Sequence, residues 1–361
     1  MLPRSLDLRL PSVSSTVSSC LRCFQRAVHV SPAVFKAAAV PADILELNQK
    51  VEAAANGTPL ASSSTPQELR VKRAAQFKHE PRRIDESIPG LGQGTPPVGI
   101  SIFKPRAGAV RASYLHFHGG GFIVGSAYGQ SDVRLQRMAD DLQLAVVSVE
   151  YRLAPEAQWP LPVDDCVAAA LWLAQHGRDR LGTQVHLIGG ESAGAHLAIC
   201  TLLRLRDEYL STVPAPDEFF RCANLVYGWY DLGGTPSMRA FDRRLVFCSE
   251  ELAWMASQLV PDAARREARA GPEAGGASPL YSPLHRMPPA LFTVGTDDPL
   301  RDDTLFMASR WAAQGIPCEL EVYPGAAHGV GHFGPHEHSS QGALINARVD
   351  AYLSAAVARD A

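Results

Sequence analysis

Three residue types at widely spaced places in the chain could together carry out nucleophilic catalysis. The first is Ser192, in Gly190-Glu191-Ser192-Ala193-Gly194, with the apolar run 185–189 entering and the helix-like run 195–205 leaving. Strand, sharp turn and helix in that order push a serine out of the backbone, and the flanking glycines let strand and helix approach closely. Alone, the pattern also fits an ordinary Gly-rich loop. A serine hydroxyl needs a base to take its proton and a carboxylate to hold that base in the useful tautomer. Both follow at strand ends: Asp297-Asp298-Pro299-Leu300-Arg301-Asp302 after the apolar run 290–294, and Gly325-Ala326-Ala327-His328-Gly329 after 319–323. Upstream, His118-Gly119-Gly120-Gly121-Phe122 follows the run 112–117. Its glycines leave backbone N–H groups open to an approaching oxygen, as an oxyanion hole requires. A flexible turn or phosphate loop would also be Gly-rich, but the Lys-Ser/Thr ending of a P-loop is absent and the dinucleotide glycine spacing is not met.

These residues need a scaffold that brings several strand ends together. Strand-like runs occur at 97–103, 112–117, 145–151, 185–188, 223–229, 290–294 and 319–323, with helix-compatible segments at 132–142, 163–176 and 304–314 between them. Such alternation predicts a mostly parallel, buried sheet covered by helices. Near-helical spacing at 42–51 and 66–77, separated by the Gly/Pro/Ser-rich stretch 56–65, predicts two further helices ahead of the sheet. The interval 232–286 is too long for a simple connection and reads as an insertion with its own helices, one of them at 250–259.

The whole-chain properties exclude several function classes. With 361 residues, 46% hydrophobic and 20% charged, the chain can bury a large core. One catalytic domain from residue 42 to 361 accounts for the pattern, preceded by an extension at 1–41. A net charge of −3 without a basic stripe argues against nucleic-acid binding. No apolar run reaches membrane-spanning length, which argues against an integral membrane protein. The seven cysteines lack a disulfide framework and read as reduced, mostly buried thiols; Cys20-x-x-Cys23 is incidental. Arg4, Arg9, Arg22 and Arg26, with many serines and Asp7 as the one acid, suit either a disordered extension or an organelle transit peptide. A cytoplasmic location is expected, with organelle targeting as the alternative.

Five motifs in order give a family resemblance over residues 66–357. They are His118-Gly119-Gly120-Gly121-Phe122, Tyr151-Arg152-Leu153-Ala154-Pro155-Glu156, Gly190-Glu191-Ser192-Ala193-Gly194, Asp298-Pro299-Leu300-Arg301-Asp302 and His328-Gly329. The chain resembles the hormone-sensitive-lipase-like (bacterial family IV) esterases of the α/β-hydrolase superfamily, a group that includes arylacetamide deacetylase-like enzymes. The resemblance implies an α/β-hydrolase fold with a mostly parallel central sheet, flanking helices and a helical cap from about 42–80 and 232–286. It implies Ser192 as nucleophile, His328 as base and Asp298 as the orienting acid, chosen over Asp297 and Asp302 by its place before Pro-Leu. It also implies an oxyanion hole from the amides of Gly120, Gly121 and Ala193, with no cofactor.

His118 is expected to hold the glycine loop, and Arg152, Glu156, Asp164 and Asp165 to form a network around it or a surface ion-pair cluster. Glu191 stands where the family commonly has Asp or Thr, and Val330 where an aromatic often follows His-Gly, softening a pocket wall. His332, His336 and His338 read as exposed histidines rather than a metal site. The expected activity is hydrolysis of small carboxylic esters with short to medium acyl groups. An arylamide deacetylase and a non-catalytic small-ligand receptor remain the alternatives, and a homodimer stays open.

Overall fold

The computed structural model describes residues 28–54 and 64–358. The arginine- and serine-rich beginning of the chain, with Cys20 and Cys23, lies outside the described residues. Eight strands form one sheet in the order β1-β2-β4-β3-β5-β6-β7-β8. They are β1 Ile84–Ile88, β2 Val98–Phe103, β3 Ala112–Phe117, β4 Leu144–Glu150, β5 His186–Glu191, β6 Phe220–Val226, β7 Ala290–Asp297 and β8 Cys318–Ala327. β1 and β2 pair antiparallel to each other, and β2 pairs antiparallel to β4. From β4 to β8 every pairing is parallel. β3 and β5 are buried along their whole length, which is why they read as continuous apolar runs and not as alternating ones.

Successive residues of each parallel strand serve opposite faces of the sheet. Leu115, Val147, Ile188 and Phe292 belong to one core cluster, and Tyr114, Val146, Leu187 and Leu291 to the other. The helices are α1 Ala42–Ala54, α2 Pro66–Ala74, α3 Asp132–Leu142, α4 Leu161–His176, α5 Ala193–Glu208, α6 Ser249–Leu259, α7 Arg301–Ala313 and α8 Ser340–Val357, with shorter turns between them. α4 and α5 contribute to the first cluster, α3 and α8 to the second. Parallel strands end at one edge, so the loops after β3, β5, β6, β7 and β8 all gather there.

Two elements were not read from the sequence. β1 is a short edge strand with the polar sequence Ile-Asp-Glu-Ser-Ile, of which only Ile88 is buried. α8 follows a His/Gly/Pro-containing loop and closes the second face of the sheet. The boundary at residue 41 also moves. Pro32–Phe35 and Ala37–Ala39 form 3-10 turns that contact β8, and Val28 packs against the core. Val40 lies so close to Gly325 that a Cβ there would be 2.4 Å from its Cγ1. Residues 28–41 therefore pack against the fold and are not a separate extension.

The interval 232–286 holds α6, the short helices Pro236–Ala240 and Ala263–Glu267, and two 3-10 turns. α6 lies directly over the glycine loop, where a Cβ on Gly121 would be 2.4 Å from Met255 Sδ. α2 is tied to the same loop by Arg70, whose Nε donates to the Ile123 carbonyl at 2.7 Å. Among the described residues, no helix is long and apolar enough to cross a membrane.

Candidate active site

The turn between β5 and α5 carries Ser192 with φ 56° and ψ −117°, a conformation rarely open to a residue with a side chain. The crossing needs glycine on both sides. A Cβ on Gly190 would lie 2.3 Å from the Phe117 carbonyl oxygen, and one on Gly194 only 1.9 Å from it. The Ser192 amide donates to the Val226 carbonyl at 2.9 Å, fixing the elbow to β6.

Ser192 Oγ lies 2.9 Å from His328 Nε2. The other ring nitrogen, Nδ1, is 2.9 and 3.1 Å from the two carboxylate oxygens of Asp298. An ionised carboxylate only accepts hydrogen bonds, so Nδ1 carries the proton and Nε2 presents its lone pair to the serine hydroxyl. All three side chains are buried. Asp298 also accepts from the Leu300 amide at 2.8 Å, which sets its carboxylate plane. The neighbouring acids are engaged elsewhere. Asp297 pairs with Arg243 and accepts from Asn48 at 3.2 Å, and Asp302 caps the Ser237 amide at 2.8 Å.

Hydrogen bonds fix the orientation of two peptide groups in the glycine loop. The carbonyl of Gly119 accepts from His118 Nδ1 at 2.9 Å and from Gln130 Nε2 at 3.2 Å. A trans peptide points its N–H opposite to its C=O, so holding this carbonyl aims the Gly120 amide the other way. The Gly120 carbonyl accepts from Ile123 and Val124 at 3.2 and 3.0 Å, which aims the Gly121 amide in turn. Gly120 at φ +133° has no room for a side chain, since its Cβ would be 2.0 Å from the Val124 oxygen. The amides of Gly120, Gly121 and Ala193 donate to no acceptor among the described residues. His118 is buried against Tyr151, with ring centroids 4.2 Å apart, and Tyr151 Oη donates to the His118 carbonyl at 2.7 Å. Burial lowers the His118 pKa to about 4, so near neutral pH it serves as an uncharged hydrogen-bonding strut.

Glu191 is 6% exposed and turned away from Ser192. Both of its oxygens lie 3.1 Å from His116 Nε2, and Oε1 lies 3.5 Å from His332 Nε2. Burial by itself would raise its pKa, but the fields of His116 and His332 outweigh that and bring it down to about 2. His332 Nδ1 faces the Val330 carbonyl at 3.1 Å, so both ring nitrogens meet acceptors. That seating favours the protonated ring, against the burial that lowers its pKa. Glu191 thus links the Ser192 turn to the loop that carries His328. No local sequence signal pointed to this: His116 is hidden in a buried strand, and His332 was read as exposed.

The histidine reading is corrected. His336 is buried, the His332 side chain is largely covered, and of the three only His338 is exposed. Among the described residues no cluster of three or more His, Cys, Asp or Glu is arranged to hold a metal ion. Val330 is a core residue of the second cluster rather than a pocket wall, and Phe333 is the aromatic beside His328, at 6.0 Å between centroids. Tyr227 and Phe247 lie 4.8 and 5.6 Å from the same imidazole. The expected four-residue network is also divided. Arg152 grips Asp165 with contacts of 2.8 Å, Asp164 pairs with Arg204, and Glu156 pairs with Arg70 at 2.8 Å. Arg70 also donates to the Ala154 carbonyl at 2.6 Å, so it buttresses the glycine loop in a way the motif reading missed.

A family model for the α/β-hydrolase fold matches residues 114–332, and the chain belongs to that family, in its hormone-sensitive-lipase-like branch of esterases. Among its relatives is an acetyl esterase of Salmonella choleraesuis, 29% identical over an alignment of 249 residues, with 65% of this chain and 70% of that protein covered. A hyperthermophilic esterase from the archaeon Pyrobaculum calidifontis is 28% identical with a TM-score of 0.72, over 88% of this chain and 99% of that one. A thermostable esterase from Pseudomonas putida shares the fold at a TM-score of 0.75 and 21% identity, over 87% and 97% of the two chains.

Proposed function

We propose that this chain is a serine carboxylic-ester hydrolase working through an acyl-enzyme. The observation that carries this reading is the buried relay from Ser192 Oγ through His328 to Asp298, at 2.9 Å for each step. As Oγ attacks the ester carbonyl, its proton passes to His328 Nε2, and the carbonyl π electrons collect on oxygen as an oxyanion. The amides of Gly120, Gly121 and Ala193 receive that charge. On collapse of the intermediate, His328 gives the proton to the departing alkoxide and the acyl group stays on Ser192. Water, deprotonated by the same imidazole, then releases the acid. Asp298 keeps the tautomer fixed and stabilises the imidazolium at both stages.

The helices before residue 80 and the 232–286 insertion serve in this reading as the cap over the acyl pocket. Acetyl and carboxylic esters, named for the similar enzymes, suit compact acyl groups of short to medium length. A cytoplasmic enzyme, alone or as a homodimer, completes the proposal, with sedimentation and cell fractionation as the checks. The test of function is turnover of p-nitrophenyl acyl esters by the purified chain and its loss in Ser192→Ala. Hydrolysis of arylamides in preference to esters would move the assignment to the deacetylase alternative. Ligand binding with turnover of neither would favour a receptor.

A further inference from the structure

Arg73 is separated from the relay by a single aromatic ring, that of Phe333. It projects from α2 one turn after Arg70, which spends its whole guanidinium on two backbone carbonyls and Glu156. Arg73 has no hydrogen-bond or ion-pair partner among the described residues and is half-buried. Its Cζ lies 4.9 Å from the centre of the Phe333 ring, and that ring packs 6.0 Å from His328 and 6.3 Å from Phe247. Contact with a π face leaves the N–H donors of the fork without acceptors. The cation is also within electrostatic reach of Tyr227 and His118, the residues that flank the relay and the glycine loop. The Tyr227 hydroxyl and His118 Nε2 are themselves buried without partners among the described residues. The carboxylate whose field reaches Arg73 is Glu337, which makes no contact with it and sits 3.6 Å from His338. Burial lowers the Arg73 pKa, as expected of a cation partly withdrawn from water. Partly desolvated cations are ordinarily paired, and a guanidinium fork matches a carboxylate in two-point geometry.

We propose that Arg73 is a specificity-determining residue that receives a carboxylate carried by the substrate, so that the site favours esters bearing an acidic group over neutral ones. This rests on the serine-esterase reading of the same site. The carboxylate reaches Arg73 from either the acyl or the alcohol portion, and paired probes separate the two. On the alcohol side the pair is 4-acetoxybenzoate and 4-acetoxybenzamide. On the acyl side it is mono-4-nitrophenyl adipate and its adipamide counterpart.

The wild-type chain is expected to favour the acid over its amide by about tenfold or more in kcat/KM in at least one pair, the discrimination that a single charge-assisted contact supplies. Arg73→Gln should abolish that preference chiefly through KM while leaving kcat/KM for the amides within about threefold, and Arg73→Lys should retain part of it. An acid-to-amide ratio that is the same in wild type and Arg73→Gln for both pairs would overturn the proposal. Calorimetric binding of 4-acetylbenzoate and 4-acetylbenzamide to wild type and Arg73→Gln gives a readout without turnover. If neither these pairs nor p-nitrophenyl acyl esters are hydrolysed, the esterase reading fails, and the binding decides Arg73. Tighter binding of the acid that disappears in Arg73→Gln supports the anion site, and equal binding of the acid to both proteins contradicts it.

Discussion

Replacing Glu191 with glutamine removes a buried charge and keeps the shape of the side chain. In the wild type the carboxylate holds His116 at 3.1 Å from both oxygens and faces His332 at 3.5 Å. A glutamine can still bond His116, its Oε1 accepting from Nε2–H as the carboxylate does, or its NH2 donating if the ring changes tautomer, because Ser148 Oγ, 3.0 Å from His116 Nδ1, can accept as well as donate. His332 can keep a bond only as the neutral ring, its Nε2 accepting from the glutamine amide while Nδ1 stays committed to the Val330 carbonyl, so the charge-assisted contact is lost. A hydrogen bond to a charged group contributes about 1.5–3 kcal/mol, and the neutral amide avoids part of the desolvation cost of the ion. The expected net loss is therefore about 1–3 kcal/mol in denaturant unfolding at neutral pH. The sign of its pH dependence is fixed by the depressed pKa. The carboxylate's contribution is fully present above its ordinary pKa of 4.5 and is lost as pH falls toward about 2, so the gap between variant and wild type should close on acidification. His332 lies on the loop that carries His328, so the same substitution should lower kcat by about 10- to 10²-fold with little change in KM. A Glu191→Gln protein with wild-type stability at both neutral and acidic pH, and wild-type kcat, would refute the clamp.

Further tests address the other parts of the site. Gly120→Ala places a methyl group 2.0 Å from the Val124 oxygen at φ +133° and should tilt the amide pair, costing on the order of 10²–10³ in kcat for p-nitrophenyl butyrate. Asp298→Asn preserves the side-chain shape but replaces one acceptor oxygen with an N–H donor that favours the wrong His328 tautomer, so steady-state assays should show a fall of roughly 10³–10⁴ in kcat with the fold intact by circular dichroism. Burial lowers His118, His186 and His196 to about 4, so the unfolded chain binds protons that the folded one refuses. Their stabilising effect is complete above about pH 6.5 and should decline by up to about 1.4 kcal/mol per histidine per pH unit as pH falls toward 4. Asp303, raised to about 8 by burial, acts with the opposite sign over that range, so urea unfolding should show a net loss of stability toward acid, and a flat profile would contradict the assignment.

The relay could be read from the sequence because each member sits just past an apolar run, and glycine or proline marks the turn that follows it. The parallel strands were legible for the same reason, as in the fully buried β3 and β5. β1 was hidden because an edge strand of largely exposed polar residues lacks that signal. The Glu191–His116 contact joins residues 75 positions apart, and nothing in the local pattern of β3 distinguishes an engaged histidine from a merely buried one. The 328–338 segment misled for a related reason. Its glycines, proline and histidines look like a solvated loop, yet Val330 and His336 are fully buried under α8 and its surroundings. Arg70 and Arg73 had no motif of their own. Their different roles arise from which side of α2 faces the Ala154 and Ile123 carbonyls and which faces Phe333.

The central claim is that Ser192 becomes acylated through His328. Rapid mixing with a p-nitrophenyl ester, coupled to mass mapping of a serine-reactive phosphonate, tests it most directly. A burst of p-nitrophenol of about one per chain, a single label on Ser192, and loss of both in Ser192→Ala are expected. Ester turnover that survives in Ser192→Ala, or a label on another residue, would contradict it.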